Sequence, residues 1–118
     1  MSSITEVIRE IGDYSITDNS QFLSYFAYSP IKCDIPNTYY FNVTTLEDDK
    51  FTLQLDISGW SILSEVHDKL SCDNQRSCKL DHSKKYEDIL SFFTEISELF
   101  RDKRMELLCN KLIKVQEE

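Results

Sequence analysis

The sequence predicts an α+β fold, in which a small antiparallel sheet of about three or four strands packs against a long C-terminal helix, with short N-terminal helices. Three observations support this fold class. Residues 84–118 contain no Gly or Pro and carry apolar residues at helical spacing, residues 39–57 alternate in hydrophobicity, and the chain begins like a capped helix. The length of 118 residues fits a single domain that spans residues 1–118.

The N-terminal region predicts two short helical segments. Ser3 and Glu6 have the spacing of a capping box, and the first helix is expected to run for about nine residues until Gly12 stops it. A second cap at residues 18–20 precedes an aromatic segment that Pro30 ends. The apolar stripe of the first helix consists of Ile4, Val7, Ile8 and Ile11.

A β-hairpin is predicted in the middle of the chain. Apolar and polar residues alternate over residues 39–44 and 51–57, and a polar turn at 46–49 separates the two runs. Such alternation predicts one buried and one solvated face for each strand. A third strand is expected over residues 60–66, where Trp60 is either a core residue or a hot spot for protein contact.

The C-terminal region predicts one helix over about 84–95 and another over about 97–116, after a polar loop at residues 71–83. Ser97 suits a helix cap, and Glu98 suits a first helical turn because a carboxylate there is favoured by the helix dipole.

Charge and composition exclude several classes of partner. The net charge of -8 repels phosphate backbones and anionic membrane surfaces, so no nucleic acid and no membrane is expected to bind. The sequence has no stretch of membrane-spanning length, and its start lacks the pattern of a signal peptide. The cysteines lack metal-site spacing, so we expect free thiols and a cytoplasmic location. They are Cys33, Cys72, Cys78 and Cys109.

No catalytic motif is apparent, and we expect neither an enzyme nor a bound metal or cofactor. With only Gly12 and Gly59, the chain cannot form a glycine-rich phosphate loop. Neither His67 nor His82 belongs to a local Cys-His signature, and the carboxylates at residues 48–49 lie in a predicted turn.

The hairpin and the last helix resemble those of the glycogen synthase kinase-3 interaction protein family. In the sheet, the similarity lies in residues 40–43, the polar turn and residues 51–55, with sequences Tyr-Phe-Asn-Val and Phe-Thr-Leu-Gln-Leu. Residues 97–102, Ser-Glu-Leu-Phe-Arg-Asp, are similar to that family's Ser-Pro-x-Tyr-Arg-Glu segment. The resemblance covers about residues 38–115, and clustered-mitochondria proteins contain a similar domain.

This resemblance implies an adaptor that binds a protein kinase of the glycogen synthase kinase-3 type through its C-terminal helix. The predicted protein-binding residues are Leu107, Leu108, Lys111, Leu112 and Val115, of which the last four match the family's kinase-binding motif. Their spacing is typical of a helix that binds in a partner's groove. The family has an aromatic anchor where this chain has Arg104, so Met105 or Phe100 would have to replace it. Alternatively, these leucines pack on the sheet.

The resemblance also implies a possible second surface on the N-terminal helix, which in some members anchors the regulatory subunit of cyclic-AMP-dependent protein kinase. The stripe of Ile4, Val7, Ile8 and Ile11 spans only about two to three turns. We therefore expect this helix to close the core and do not expect it to bind that subunit.

A different class of function is also compatible with the sequence. The chain would then be a structural or assembly subunit that retains the fold and binds another protein, and Arg104 at the aromatic position favours this alternative.

Overall fold

The computed structural model describes residues 4–70, 80 and 82–117, with side chains described up to residue 112. It confirms the α+β class: one four-stranded antiparallel sheet, in the order β1-β2-β3-β4, packs against helices. The elements are α1 (Ile4–Asn19), a 3₁₀ turn (Ser20–Phe22), β1 (Tyr25–Tyr28), β2 (Tyr39–Thr44), β3 (Lys50–Asp56), β4 (Gly59–Ser64), α2 (Ile89–Ile96) and α3 (Glu98–Glu117).

The predicted hairpin is formed by β2 and β3. Phe41 pairs with Leu53 and Val43 pairs with Phe51, so the apolar residues of both strands point to the same face of the sheet. The next turn depends on Gly59, whose φ of +116° lies in the left-handed region. A Cβ atom there would clash with the carbonyl oxygen of Tyr86, so only glycine lets residue 86 approach this strand.

α1 is longer than predicted, because Gly12 does not end it. The helix has 16 residues, and Gly12 is buried within it. A Cβ atom at Gly12 would lie 2.8 Å from both the Phe41 ring and the Tyr28 hydroxyl, so the glycine allows close packing of the helix on the sheet. The prediction that Gly12 ends the helix is therefore wrong. Glycine is needed at this position for packing on the sheet, and it was interpreted as a signal that terminates the helix.

The second N-terminal segment is a strand and not a helix. Residues 25–28 form β1, and Phe26 pairs with Val43 of β2. Aromatic residues suit a strand that has a partner, and pairing with β2 overrides the helical spacing of this segment. Residues 18–20, predicted to cap a helix, instead form the end of α1 and the start of the 3₁₀ turn.

The face of the sheet that was predicted to be solvated is covered by the chain that follows β4. Thr52 is fully buried and donates a hydrogen bond to the carbonyl oxygen of Val66, at 2.6 Å. Asn42 donates to Asp68 at 2.6 Å and accepts from the backbone N–H of Asp68 at 2.9 Å. β4 thus ends at Ser64, because the chain turns back over the sheet instead of continuing as a strand to residue 66.

The apolar face of the sheet packs against α2, which in turn packs against α3. The Phe93 ring lies 5.5 Å from that of Phe26 and 5.2 Å from that of Phe100. Trp60 is 1% exposed, so it is a core residue and not a contact hot spot. α2 begins later than predicted, at Ile89, where Asp88 caps it by accepting a hydrogen bond from the N–H of Ser91 at 2.8 Å.

Candidate functional site

The start of α3 is fixed by a small set of hydrogen bonds. Ser97 caps the helix as predicted, since its hydroxyl oxygen accepts from the N–H of Phe100 at 3.0 Å. The same hydroxyl donates to Glu47 at 2.6 Å, and the N–H of Leu99 donates to the other Glu47 oxygen at 3.1 Å. The turn between β2 and β3 therefore fixes where α3 begins and in which direction it leaves the core.

These hydrogen bonds also determine the charge state of Glu47. Burial raises the pKa of its carboxyl group, but the hydrogen bonds from the Ser97 side chain and from backbone N–H groups outweigh that effect. The pKa of Glu47 consequently lies below its ordinary value. A negative charge is therefore held at the N-terminus of α3, where the helix dipole favours it.

α3 carries apolar residues on two faces. Phe100 is fully buried and Leu107 packs partly against the core, so these two residues attach the helix to the domain. Three other apolar residues follow one another at intervals of three and four and lie on a different face. These are Met105, Leu108 and Leu112, with 60%, 51% and 57% of their surface exposed, and we call them the α3 ridge.

The sequence-predicted residues of the last helix therefore divide into two groups. Leu107 packs partly against the core, whereas Leu108, Lys111 and Leu112 are exposed. The side chain of Val115 lies outside the described part of the chain. Packing within the fold is thus seen for Leu107, which contacts the core, and not for the two exposed leucines of the α3 ridge.

The first helix also has an exposed apolar stripe. Ile8 is buried in the core, while Ile4, Val7 and Ile11 are exposed. Tyr14 continues the stripe at the same spacing and is exposed as well. Sequence reasoning missed Tyr14 because it ended the helix at Gly12, although the three-and-four spacing was visible in the sequence.

A groove of about 610 Å³ lies between α1 and α3. We call it the α1–α3 groove. Residues from the two candidate helices form its walls, and core residues form its floor. The walls include Ile11, Tyr14 and Leu108, and the floor includes Phe22, Trp60 and Ile89. Two surfaces that the sequence presented as separate candidates thus meet at one place.

Charged residues of both signs line this groove, including Asp88 at the start of α2. Arg104 and Lys111 belong to α3, whereas Asp18 belongs to α1 and Glu87 precedes α2. Within the part of the chain that the structure describes, none of the ion pairs found joins these side chains across the groove.

A second cavity, of about 670 Å³, lies beside β3 and is lined by Phe51, Leu80 and Tyr86. An ion pair between Lys84 and Glu95, 2.9 Å long, closes one side of it. Burial, together with a hydrogen bond to Glu95, raises the pKa of the Tyr86 hydroxyl. Tyr86 also exchanges two backbone hydrogen bonds with Trp60, so these groups stabilise the connection to α2.

Both histidines lie close to polar side chains of the fold, and the described cysteines are not bonded to one another. His67 lies 3.0 Å from the Thr44 hydroxyl, and His82 lies 3.0 Å from Glu65. Cys33 and Cys109 are free thiols; residues 72 and 78 lie outside the described residues. Among the described side chains, no group of three His, Cys, Asp or Glu residues could hold a metal ion. None of the described helices has the length and apolarity needed to cross a membrane.

Comparison with protein families gives a match to the model of the GSKIP domain over residues 8–115. The chain belongs to the GSKIP domain family. This confirms the resemblance seen in the hairpin and last helix, and the match extends it to most of α1. A comparison with curated proteins finds none that matches the chain.

All groove and ridge residues named above lie within the matched GSKIP domain. The family is known for binding and not for catalysis, so membership supports an adaptor-like role. In this GSKIP domain, the exposed apolar side chains of α1 and α3 are therefore the candidate contact surface.

Proposed function

We propose that this GSKIP domain is a non-enzymatic adaptor that binds a protein kinase of the glycogen synthase kinase-3 type through α3. One observation supports this most strongly: Leu108 and Leu112 are each more than half exposed on a helix that the core already holds in place. The kinase contact would consist of Leu108, Lys111, Leu112 and Val115, with Leu107 fixing the helix from behind.

The geometry of α3 suits a helix that binds in a partner's groove. Met105, Leu108 and Leu112 lie within about 60° of one another around the helix axis, so one apolar groove can contact all three. Burying each of these side chains would contribute roughly 1.5–3 kcal/mol. Because α3 is already folded and capped by Ser97, little of that free energy is spent on ordering the helix.

The proposal is tested by measuring how tightly the purified kinase binds variants of the intact chain. We expect Leu112→Ala and Leu108→Ala to weaken binding at least tenfold, since each removes roughly 1.5–3 kcal/mol of apolar contact. Leu99→Ala is the matched control, because Leu99 is also an exposed leucine of α3 but lies about 140° around the helix from Leu112.

Leu112→Pro provides a stronger perturbation, because proline removes a helix hydrogen bond and costs about 3 kcal/mol locally. Circular dichroism of each variant serves as the folding control. Absence of binding by the wild-type chain, or equal loss in Leu99→Ala and Leu112→Ala, would end the proposal.

A second candidate is a structural or assembly subunit with a different protein partner. Arg104 favours it, because a charged and exposed side chain stands where the family has an aromatic anchor. Affinity purification of the tagged chain distinguishes the two candidates. Kinase peptides support the first candidate, and one stoichiometric partner that is not a kinase supports the second.

The proposal does not extend to the regulatory subunit of cyclic-AMP-dependent protein kinase. The argument from helix length was wrong, since α1 has 16 residues. However, Ile8 is 4% exposed and belongs to the core, so the predicted four-residue stripe is not all available to a partner. Free thiols at Cys33 and Cys109 support a cytoplasmic location for the adaptor.

A further inference from the structure

We propose that the α1–α3 groove is itself a docking site, which receives one amphipathic helix of a protein partner with acidic residues along one edge and basic residues along the other. The acidic edge would lie against Arg104 and Lys111, and the basic edge against Asp18 and Glu87. This goes beyond the kinase contact, because here the GSKIP domain supplies the groove and the partner supplies the helix.

The apolar surfaces of the groove favour a helical occupant. Ile11 and Tyr14 of α1 face the same space as Leu108 of α3, and all three are exposed. Two helices whose apolar side chains border an open groove offer a third helix the contacts found in helix packing. A volume of about 610 Å³ admits the apolar side chains of such a helix while its polar face remains in water.

The charges of the groove specify the chemistry of the occupant. Arg104 and Lys111 are seven residues apart on α3, so they lie on one face, two turns apart. Asp18 and Glu87 present carboxylates on the side of α1 and the start of α2. A helix that covers these groups removes water from them, which costs free energy unless the helix brings opposite charges.

The chain offers matched controls within each exposed stripe. Ile11 lines the groove and Val7 does not, although the two are 44% and 45% exposed on the same helix. On α3, Leu108 lines the groove and Leu112 does not. Binding in the groove and binding to a kinase therefore share Leu108 and Lys111, but Ile11 and Tyr14 serve only the groove and Leu112 serves only the kinase contact.

The test uses three synthetic peptides of about 18 residues, or five helical turns. All three share one leucine stripe at spacings of three and four, and they differ only in the residues that flank it. One peptide has glutamates on one edge and lysines on the other, the second has glutamates on both edges, and the third has lysines on both. Fluorescence anisotropy measures binding of each labelled peptide to the intact chain.

The mixed peptide should bind to the wild-type chain at least about fivefold more tightly than either single-charge peptide. The double variant Arg104→Glu, Lys111→Glu makes both walls acidic, so it should bind most tightly to the lysine peptide. In the wild-type groove, the mixed peptide can match both walls in one of its two directions, whereas each single-charge peptide faces one wall of like charge in both directions.

Apolar contact should contribute in the same experiment. Ile11→Ala and Tyr14→Ala should each weaken binding of the mixed peptide by about tenfold, whereas Val7→Ala should leave it within about twofold. If one of the two groove variants fails to fold, the other still tests the contact. Circular dichroism shows whether each variant is folded.

The proposal is overturned if the mixed peptide shows no binding at millimolar concentration, if Val7→Ala weakens it as much as Ile11→Ala, or if the charge reversal leaves the order of the peptides unchanged. These peptides contain no kinase sequence. Failure here consequently leaves the kinase proposal standing, and failure of kinase binding leaves this result intact.

Discussion

α2 and α3 meet at Ser97 but use their apolar residues in different ways. In α2, Phe92 and Phe93 are fully buried, so its strong amphipathic pattern reflects the core alone. In α3, Phe100 is buried to the same degree, yet the α3 ridge projects into solvent. The comparison shows that an apolar helical pattern identifies a core face only where there is a sheet or helix for it to cover.

The difference in length between α2 and α3 explains why α3 carries apolar residues that do not pack in the core. Its 20 residues span about 30 Å, whereas the 8 residues of α2, on which it packs, span about 12 Å. Leu107 is the last α3 residue seen to pack against the core within the described side chains. Because α3 packs mainly on α2 and the 3₁₀ turn, which are both shorter than it, stability does not require the apolar residues that follow Leu107.

The largest effect that would sharpen this comparison is expected in α2. Phe93→Ala removes a fully buried ring that lies between Phe26 and Phe100. We expect it to lower the free energy of unfolding by about 3–5 kcal/mol, because a cavity remains where the ring was. Urea denaturation measures this. A loss below about 1 kcal/mol would mean that α2 does not form the core in the way described.

An intermediate effect is expected at the junction of the two helices. Ser97→Ala removes the hydroxyl that accepts from the N–H of Phe100 and donates to Glu47. Loss of a helix cap costs about 1 kcal/mol, and urea denaturation of the variant should show this decrease. Ser91→Ala is the control, since its exposed hydroxyl leaves the backbone cap at Asp88 unchanged. Equal losses in both variants would contradict a special role for Ser97.

A smaller effect concerns pH at the same junction. The folded-state pKa of Glu47 is lower than the ordinary value of 4.5, so its contribution to stability is present above pH 4.5 and is lost as pH falls through the folded-state pKa. Glu47→Gln should therefore lower the stability of the chain relative to wild type at neutral pH. In acid, the difference in stability between the two proteins should disappear. Thermal melting of both proteins between neutral and acidic pH measures it; a difference that grows in acid would contradict this assignment.

The sequence predicted those parts of the fold that depend on local signals. The β2–β3 hairpin and the Ser97 cap follow from alternation and from a hydroxyl before a helical stripe, and both are present. The predictions for Gly12 and for β1 failed because each depends on a distant partner. Glycine is needed at position 12 because the helix contacts Phe41 closely there, and β1 forms a strand because it pairs with β2.

The candidate site was predictable only in part for the same reason. The family resemblance and the helical spacing identified Leu108 and Leu112, but they could not separate these residues from Leu107, which differs in what lies beneath it. The α1–α3 groove could not be predicted, because it exists only once α1 and α3 are placed side by side around Phe22. Burial of Asn42 by the chain after β4 likewise has no local signal.

The smallest effect on stability is expected at the α3 ridge, and it tests the comparison most directly. Leu112→Ala should change the free energy of unfolding by less than about 0.5 kcal/mol, because the side chain is exposed and leaves no cavity. Leu107→Ala, five residues earlier on the same helix, should cost at least about 1 kcal/mol, because it removes contacts with the core. Parallel urea denaturation curves measure both. If Leu112→Ala destabilised the chain as much as Leu107→Ala, the ridge would be part of the core, and α3 would differ from α2 only in length.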